Sequence, residues 1–340
     1  MSNLDKINIY VPNHIGTMLD NDAKMFEVFK RDGQTINRNK FLSMLILGYY
    51  NSYIEECSNV HEAIVNILND RNVDSSKQQE IADGILKNVV LPQVPSRKGK
   101  NPAKLSLKPT KETEGLLLEL INNMSIEDSV SQYLCRLLMS YCEKPLAERE
   151  KIIFKDNYDF LQSACEKKWP VAFTTIWNPG SIHEVIPYKL EYGREEMYNY
   201  LLCGEINSFT GELEAKAFRL NRVTGLVYSR KTLQMTESVN RHLKMMMQYG
   251  PQFTIKDDEE TCIRLTDRGR KSFNRIYYGR PQFSRIEKAG TDYLYFFNCS
   301  KDQIYLYFRR FGQEEAEIVY PESLRKKMIA FHAGALSMYK

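Results

Sequence analysis

The chain contains no Cys-x-x-Cys pair, no Gly-x-Ser-x-Gly, no His-Glu-x-x-His, no P-loop and no Gly-x-Gly-x-x-Gly opening a helix. These absences exclude the motif-bearing hydrolases, zinc peptidases, nucleotide triphosphatases and dinucleotide oxidoreductases. Seven cysteines (Cys57, Cys135, Cys142, Cys165, Cys203, Cys262 and Cys299) are odd in number and scattered through apolar runs. That pattern points to reduced, buried thiols and away from a disulfide framework or a zinc site. The five histidines (His14, His61, His183, His242 and His332) are isolated and lack metal-ligand spacing. Asp257, Asp258, Glu259 and Glu260 form a charged loop, not an acid–base pair in an apolar setting. No signal-peptide pattern opens the chain, and no apolar run approaches ~18 residues. The expectation is a soluble cytoplasmic protein with no membrane association, no metal, no cofactor and no catalytic set.

What is present is ordinary in bulk and uneven in detail. Hydrophobic residues make up 43% and charged residues 26%, and 340 residues suffice for two or three domains with their own cores. The net charge is only +4, yet residues 214–285 hold 15 Lys/Arg against 7 Asp/Glu. Local excess of this kind marks either a polyanion-binding face or a solvated surface.

Residues 6–11 alternate, with Ile7, Ile9 and Val11 on one side and Lys6, Asn8 and Tyr10 on the other. Pro12 and Asn13 end that strand. Ile15, Met18, Leu19, Met25, Phe26 and Phe29 follow at roughly helical spacing. After a turn at Asp32 and Gly33, a second helix begins near residues 35–37. It carries Phe41, Leu42, Leu45, Ile46 and Tyr49 on one stripe. This strand–helix–helix order resembles the ribbon-helix-helix family. The resemblance implies a ribbon of two antiparallel strands whose outward side chains, here Lys6, Asn8 and Tyr10, enter the DNA major groove. The free amides near Asn37 and Arg38 would then face a phosphate.

The pattern recurs about a hundred residues later. Leu105 and Leu107 alternate with Lys104, Ser106 and Lys108, and a helix with Leu116, Leu117, Leu120 and Ile121 follows. After a turn at Asn122 and Asn123, and with Ser125 as cap, the next helix carries Tyr133, Leu134, Leu137, Leu138 and Tyr141. The two units could pair within one chain, or each with its copy in another subunit; a plain helical hairpin after a coil is the alternative. Between them lie two helices, near 60–70 and 75–91, and a Pro-rich linker over 92–102 with Arg97, Lys98 and Lys100.

From about residue 150 the pattern turns to strands. A helix over 158–168 leads to a strand over 169–176 and a turn at Asn178, Pro179 and Gly180. Strands over 183–190, 198–204 and 217–223 follow, with turns at Gly193 and at Thr210 and Gly211. A Met-rich helix is predicted over 237–248. The end reads as strand 262–265, helix 267–277, strands 293–298 and 304–308, and helix 321–339. His183, Asn199, Tyr200, Leu201 and the run Phe218, Arg219, Leu220, Asn221, Arg222 carry a resemblance to the WYL domain, a small Sm-like or SH3-like β-barrel of prokaryotic nucleic-acid regulators. The name-giving tryptophan is replaced by Asn199, and the usual arginine before the valine-proline strand by His183. The tail, above all 311–316 and 320–324, resembles the extension that follows WYL domains and often mediates dimerisation.

The fold expected is therefore α+β and multidomain. Its segments are a ribbon-helix-helix unit (1–55), a helical connector with basic linker (56–103), a second such unit (104–148), a WYL barrel (150–235), a linker helix (236–255) and the extension (256–340). The barrel resemblance implies a basic, aromatic-flanked groove for an anionic ligand. Tyr200, Arg219 and Arg222 are its first candidates, with His183, Tyr188 and Arg230 next. In an extended strand Arg219 and Arg222 fall on opposite faces unless the chain twists or bulges between them. One would then cross the groove while the other pairs with an acid such as Glu205 or Glu214; a salt bridge inside the barrel is the alternative. Most of the aromatics at the end, Tyr277, Tyr278, Phe283, Tyr293, Tyr295, Phe297, Tyr305 and Tyr307, are expected to pack a sheet core. The arginines between them leave open a stacking platform for unpaired bases.

The whole arrangement resembles accessory proteins encoded beside compact type VI CRISPR ribonucleases. The resemblance implies a homodimer that binds single-stranded RNA, or DNA, and modulates an RNA-guided CRISPR effector ribonuclease. Two rivals stand beside it: a ribbon-helix-helix transcriptional regulator with a ligand-sensing barrel, and a dimeric scaffold whose basic surface docks an acidic protein.

Overall fold

A computed structural model describes residues 5–71, 73–94, 102–123, 129–193, 197–208, 211–253, 255 and 259–339. Ser125, Arg97, Lys98, Lys100, Thr210, Asp257 and Asp258 lie outside the described residues. The chain divides into two units, 1–156 and 157–340. Helices and sheets are mixed throughout, which makes the architecture α+β.

The first unit is built on a two-stranded ribbon. Strand β1 (Ile7–Val11) pairs antiparallel with β2 (Ala103–Leu107), and Ile9 sits opposite Leu105 at the centre. The strand pattern at 6–11 therefore finds its partner in the same chain. Alternation sends Ile9, Val11, Leu105 and Leu107 into the core, and Asn8, Tyr10, Lys104 and Ser106 outward. Behind the ribbon pack α1 (Asn13–Met25), α2 (Arg38–Asp70), α4 (Lys111–Asn123) and α5 (Val130–Glu143), with α3 (Ser75–Ile85) against α2. Asn37 caps α2 through the Lys40 amide. Asn39 fixes that helix end to the ribbon, donating to the Lys108 carbonyl at 3.1 Å and accepting from its amide at 2.7 Å.

Two helical expectations are corrected. Residues 60–70 are not a separate helix: α2 runs unbroken from Arg38 to Asp70, because nothing between Tyr50 and Val60 is glycine or proline. The cap of α5 is Ser129, which forms a reciprocal capping box with Gln132. The helix α6 (Leu146–Ile153), absent from the sequence pattern, lies so close to α2 that a Cβ at Gly48 would sit 2.0 Å from the Ile152 carbonyl oxygen.

One buried polar knot ties this unit together. Asp22 is 1% exposed and takes Arg149 through Nε at 2.7 Å and Nη2 at 3.0 Å, and the Tyr141 hydroxyl at 2.9 Å. Burial, with the Asp22 carboxylate beside it, pushes the Tyr141 hydroxyl pKa well above its ordinary value. Charges so buried are tolerated only when each has its partner.

The second unit holds most of α7 (Lys155–Lys167) and a five-stranded sheet of order β6-β5-β4-β3-β7. Its strands are β3 (Val171–Thr175), β4 (Asn178–Tyr192), β5 (Asn199–Ile206), β6 (Leu213–Arg219) and β7 (Val223–Tyr228), all antiparallel. β6 and β7 end the order, and among the described residues no ladder joins them; the pairing closes no barrel. The run at 217–223 is not one strand. A three-residue 3-10 turn, Leu220–Arg222, breaks it, with Leu220 fully buried. Helix α8 (Glu237–Tyr249), capped by Thr236, covers one sheet face with Val239, Leu243 and Met246.

A second sheet, β11-β8-β10-β9, completes the unit from β8 (Thr261–Leu265), β9 (Arg285–Ala289), β10 (Asp292–Phe297) and β11 (Ala316–Tyr320). It packs with α9 (Asp267–Arg275), α10 (Lys301–Phe308) and α11 (Glu322–Ser337). The strand expected at 304–308 is helix α10. Ser300 caps it, and Ile304, Tyr307 and Phe308 bury one face at helical spacing. The cysteines are free thiols, with Cys57 and Cys165 half-buried and the other five buried.

Replacing Asp22 by alanine leaves the Arg149 guanidinium without its buried partner. Urea unfolding of the Asp22→Ala chain is expected to show a loss of about 3–5 kcal/mol in the first unit. A change under ~1 kcal/mol would show that this knot does not hold the unit.

Candidate nucleic-acid interface

The site is assembled where β5, β6 and the 3-10 turn meet. Tyr200 and Arg219 face each other across the β5–β6 ladder, and Arg219 Nε donates to the Tyr200 hydroxyl at 3.1 Å. Tyr198 lies just ahead of β5, two residues before Tyr200. The Arg219 guanidinium lies 4.2 Å from the centroid of the Tyr198 ring and 5.9 Å from that of Tyr200. The cation is held by ring faces and a phenol oxygen.

The 3-10 turn settles the direction of Arg222. Arg219 is the extended residue that opens this turn, so between Arg219 and Arg222 the chain leaves the two-residue strand period that would send them to opposite faces. Arg219 and Arg222 accordingly line the same cavity, of about 470 Å³. The Ile176 amide donates to the Arg222 carbonyl at 3.0 Å, which fastens the turn to the β3–β4 connection. That connection sets Trp177 against Arg222, with 5.8 Å from guanidinium carbon to ring centroid. Trp177 is 70% exposed, an unusual position for the largest apolar side chain unless something covers it. Thr175, Phe218, Gln252, Phe253 and Leu306 complete the walls, and Asp302 is the acid among them.

The other sequence candidates lie elsewhere. Alternation along β6 puts Lys216 on the face opposite Arg219, and Glu205 opposite Tyr200. There the Glu205 carboxylate accepts from Lys216 at 2.6 Å and lies 2.7 Å from His183 Nδ1. His183 is stacked on Phe173 and lines a second cavity, of about 470 Å³, with Lys216, Lys231 and three glutamates. Glu214 accepts from the Asn207 side-chain amide at 2.8 Å. Tyr188, at a bulge in β4, packs into the core beneath α8. Arg230 is exposed just beyond β7 and does not line the arginine cavity. In the first unit Lys6 is exposed, Tyr10 is half-buried, and Asn8 accepts from the Ser106 hydroxyl at 3.0 Å on the outer face of the ribbon. Trp177 and Tyr198 escaped the sequence reading. The signal that could have found them is an aromatic in a two-residue connection, and one immediately ahead of β5, at i−2 from Tyr200.

No protein-family model and no curated protein matches this sequence. Among solved structures the fold is similar to one described as a CRISPR Cas-related protein. That likeness spans 98% of this chain and 94% of the other, at TM-score 0.68 and 19% identity. At that identity the likeness is one of fold. Proteasome accessory factor B/C of Arthrobacter aurescens aligns over 99% of this chain and 50% of its own, at 13% identity and a TM-score of 0.26, too low to support a common fold. Among the described residues no helix is long and apolar enough to cross a membrane, and no group of three or more acidic, histidine or cysteine side chains could hold a metal ion.

If Trp177 is displayed for a ligand, its removal is cheap. Trp177→Ala is expected to change stability by no more than ~0.5 kcal/mol. Leu220→Ala, which empties the buried seat of the turn, is expected to cost about 2–5 kcal/mol. Chemical denaturation of both variants checks this; a large loss from Trp177→Ala would make the ring a structural element.

Proposed function

We propose that the chain is a non-catalytic accessory protein of a CRISPR system that binds single-stranded RNA in the Arg219–Arg222 cleft and modulates an RNA-guided ribonuclease. One observation carries the reading: two guanidiniums on one side of a cavity, each against an aromatic face, one of them the exposed Trp177. A guanidinium supplies charge and donors to phosphates, and a ring supplies a stacking surface that any unpaired base can use. Duplex bases are already stacked on their neighbours, so the combination favours single strands. The fold likeness to a CRISPR Cas-related protein over nearly the whole chain supports the biological setting. The return of β7 to pair with β3 after a 3-10 turn supports a WYL-type arrangement of the sheet, here with an open edge between β6 and β7 in place of a closed Sm-like or SH3-like barrel.

The ribbon favours a second reading. Its intrachain pairing and polar outer face match a ribbon-helix-helix pair within one chain, the arrangement of a DNA-binding regulator with a ligand-sensing barrel. Replacing Lys6, Asn8 and Tyr10 by alanine together would abolish duplex binding under that reading and leave RNA binding nearly intact under the first. In both readings the protein is a homodimer. Light scattering at micromolar concentration is expected to give twice the chain mass, and a monomer mass would contradict it.

Labelled single-stranded RNA is expected to outcompete duplex DNA. Its affinity should fall with salt at a log–log slope of about −0.7 per phosphate contact. Arg219→Ala combined with Arg222→Ala should weaken RNA binding by about 10-fold or more, since each charge-assisted contact is worth about 1.5–3 kcal/mol, with the fold retained. Unchanged affinity in the double variant would reject the site.

A further inference from the structure

The structure divides the aromatics of the C-terminal part into two groups. Tyr295, Phe297, Tyr307 and Phe308 are buried around Phe273 in the core of the second sheet. Tyr277, Tyr278 and Phe283 are not: they are 77%, 55% and 44% exposed, all on the loop over 276–284 between α9 and β9. Three large rings on nine residues of surface are unfavourable in water unless something covers them.

The loop is braced from within. The Tyr307 hydroxyl donates to the carbonyls of Ile276 at 2.6 Å and Phe273 at 3.1 Å. Arg310 Nη2 donates to the Tyr278 carbonyl at 2.9 Å. The Arg280 amide closes a turn on the Tyr277 carbonyl at 3.3 Å, with Gly279 at φ +68°, a conformation that glycine adopts without strain. Phe283 rests edge-on against Tyr295 with 5.3 Å between ring centroids. A backbone held this way loses little freedom when a ligand settles on its rings.

Charge selects the ligand. Residues 268–286 contain six Lys/Arg and no Asp or Glu. Arg268, Arg270 and Arg285 have carboxylate partners and Arg275 acts on the Glu315 carboxylate, whereas among the described residues Lys271, Arg280, Arg309 and Arg310 form no ion pair. An apolar protein partner would need the rings but not this cationic surround. A polyanion with unpaired bases uses both.

We infer that the loop over 276–284 is a stacking platform for unpaired bases, a second contact for single-stranded nucleic acid beside the arginine cleft. The inference rests on the RNA-binding reading above. Helix α10 joins the two places: Asp302 and Leu306 line the cleft, while Tyr307, on the same helix, braces the loop.

The test measures affinity of the full chain for labelled single-stranded oligouridylate across a salt series. Tyr277→Ala combined with Tyr278→Ala is expected to weaken binding by about 10-fold or more, as loss of base stacking does. The salt slope should stay unchanged, because no charge is removed. Tyr277→Phe with Tyr278→Phe should restore the affinity, since the rings remain. Full affinity in the alanine variant, while Arg219→Ala with Arg222→Ala still weakens binding, overturns the platform and leaves the cleft reading standing. Full RNA affinity with an altered mass in light scattering would make the loop a protein-docking surface, which also overturns it. If the unmodified chain retains no oligonucleotide at low salt, both readings fall.

Discussion

The 3-10 turn at Leu220–Arg222 is the constraint on which the arginine-lined cavity depends. Leu220 is its anchor, driven into the core by its apolar side chain. The hydrogen bond from the Ile176 amide to the Arg222 carbonyl is its tether. With the turn in place, a strand that would have sent two arginines to opposite faces delivers both to one cavity. The same tether determines where Trp177 lies, because the residue that donates it immediately precedes the tryptophan. Core packing, backbone geometry and the placement of two guanidiniums thus meet in a few residues.

The two faces of the five-stranded sheet have different chemistry for a related reason. On one face Arg219 and Arg222 lie against aromatic rings. On the other, Lys216 and His183 meet the Glu205 carboxylate, which neutralises them locally. A strand period of two is enough to send Arg219 and Lys216 to different faces with different neighbours. In the first unit the polar residues divide in a similar way. Asp22, Arg149 and Tyr141 satisfy one another in the interior, and the ribbon keeps Asn8, Tyr10, Lys104 and Ser106 on its outer side.

Legibility in the sequence followed the strength of the periodic signal. Phe41, Leu42, Leu45, Ile46 and Tyr49 are all buried, and so are their counterparts Leu134, Leu137, Leu138 and Tyr141, with Tyr133 half-buried, because helix stripes this dense admit one arrangement. That β1 pairs with β2 was open in the sequence: Asn8 and Ser106 stand 98 residues apart, and alternation shows a strand without naming its partner. Residues 304–308 misled because Ile304, Leu306 and Phe308 alternate, while Ile304, Tyr307 and Phe308 fit a helix equally well over so short a run. β9 escaped notice because every residue in it is exposed and no apolar alternation marks it. Of the cleft, Tyr200, Arg219 and Arg222 were legible through the family-like run, whereas Trp177 belongs to a different strand connection that only the fold brings near.

The chain has two tryptophans, and Trp169→Phe leaves Trp177 as the sole indole. Titrating that variant with single-stranded RNA while recording both indole fluorescence and the anisotropy of a label on the RNA tests the central claim directly. The predicted result is quenching of Trp177 that saturates at the same RNA concentration as the anisotropy, as a base stacks on the ring beside Arg222. RNA binding by anisotropy with no change at Trp177 would contradict it.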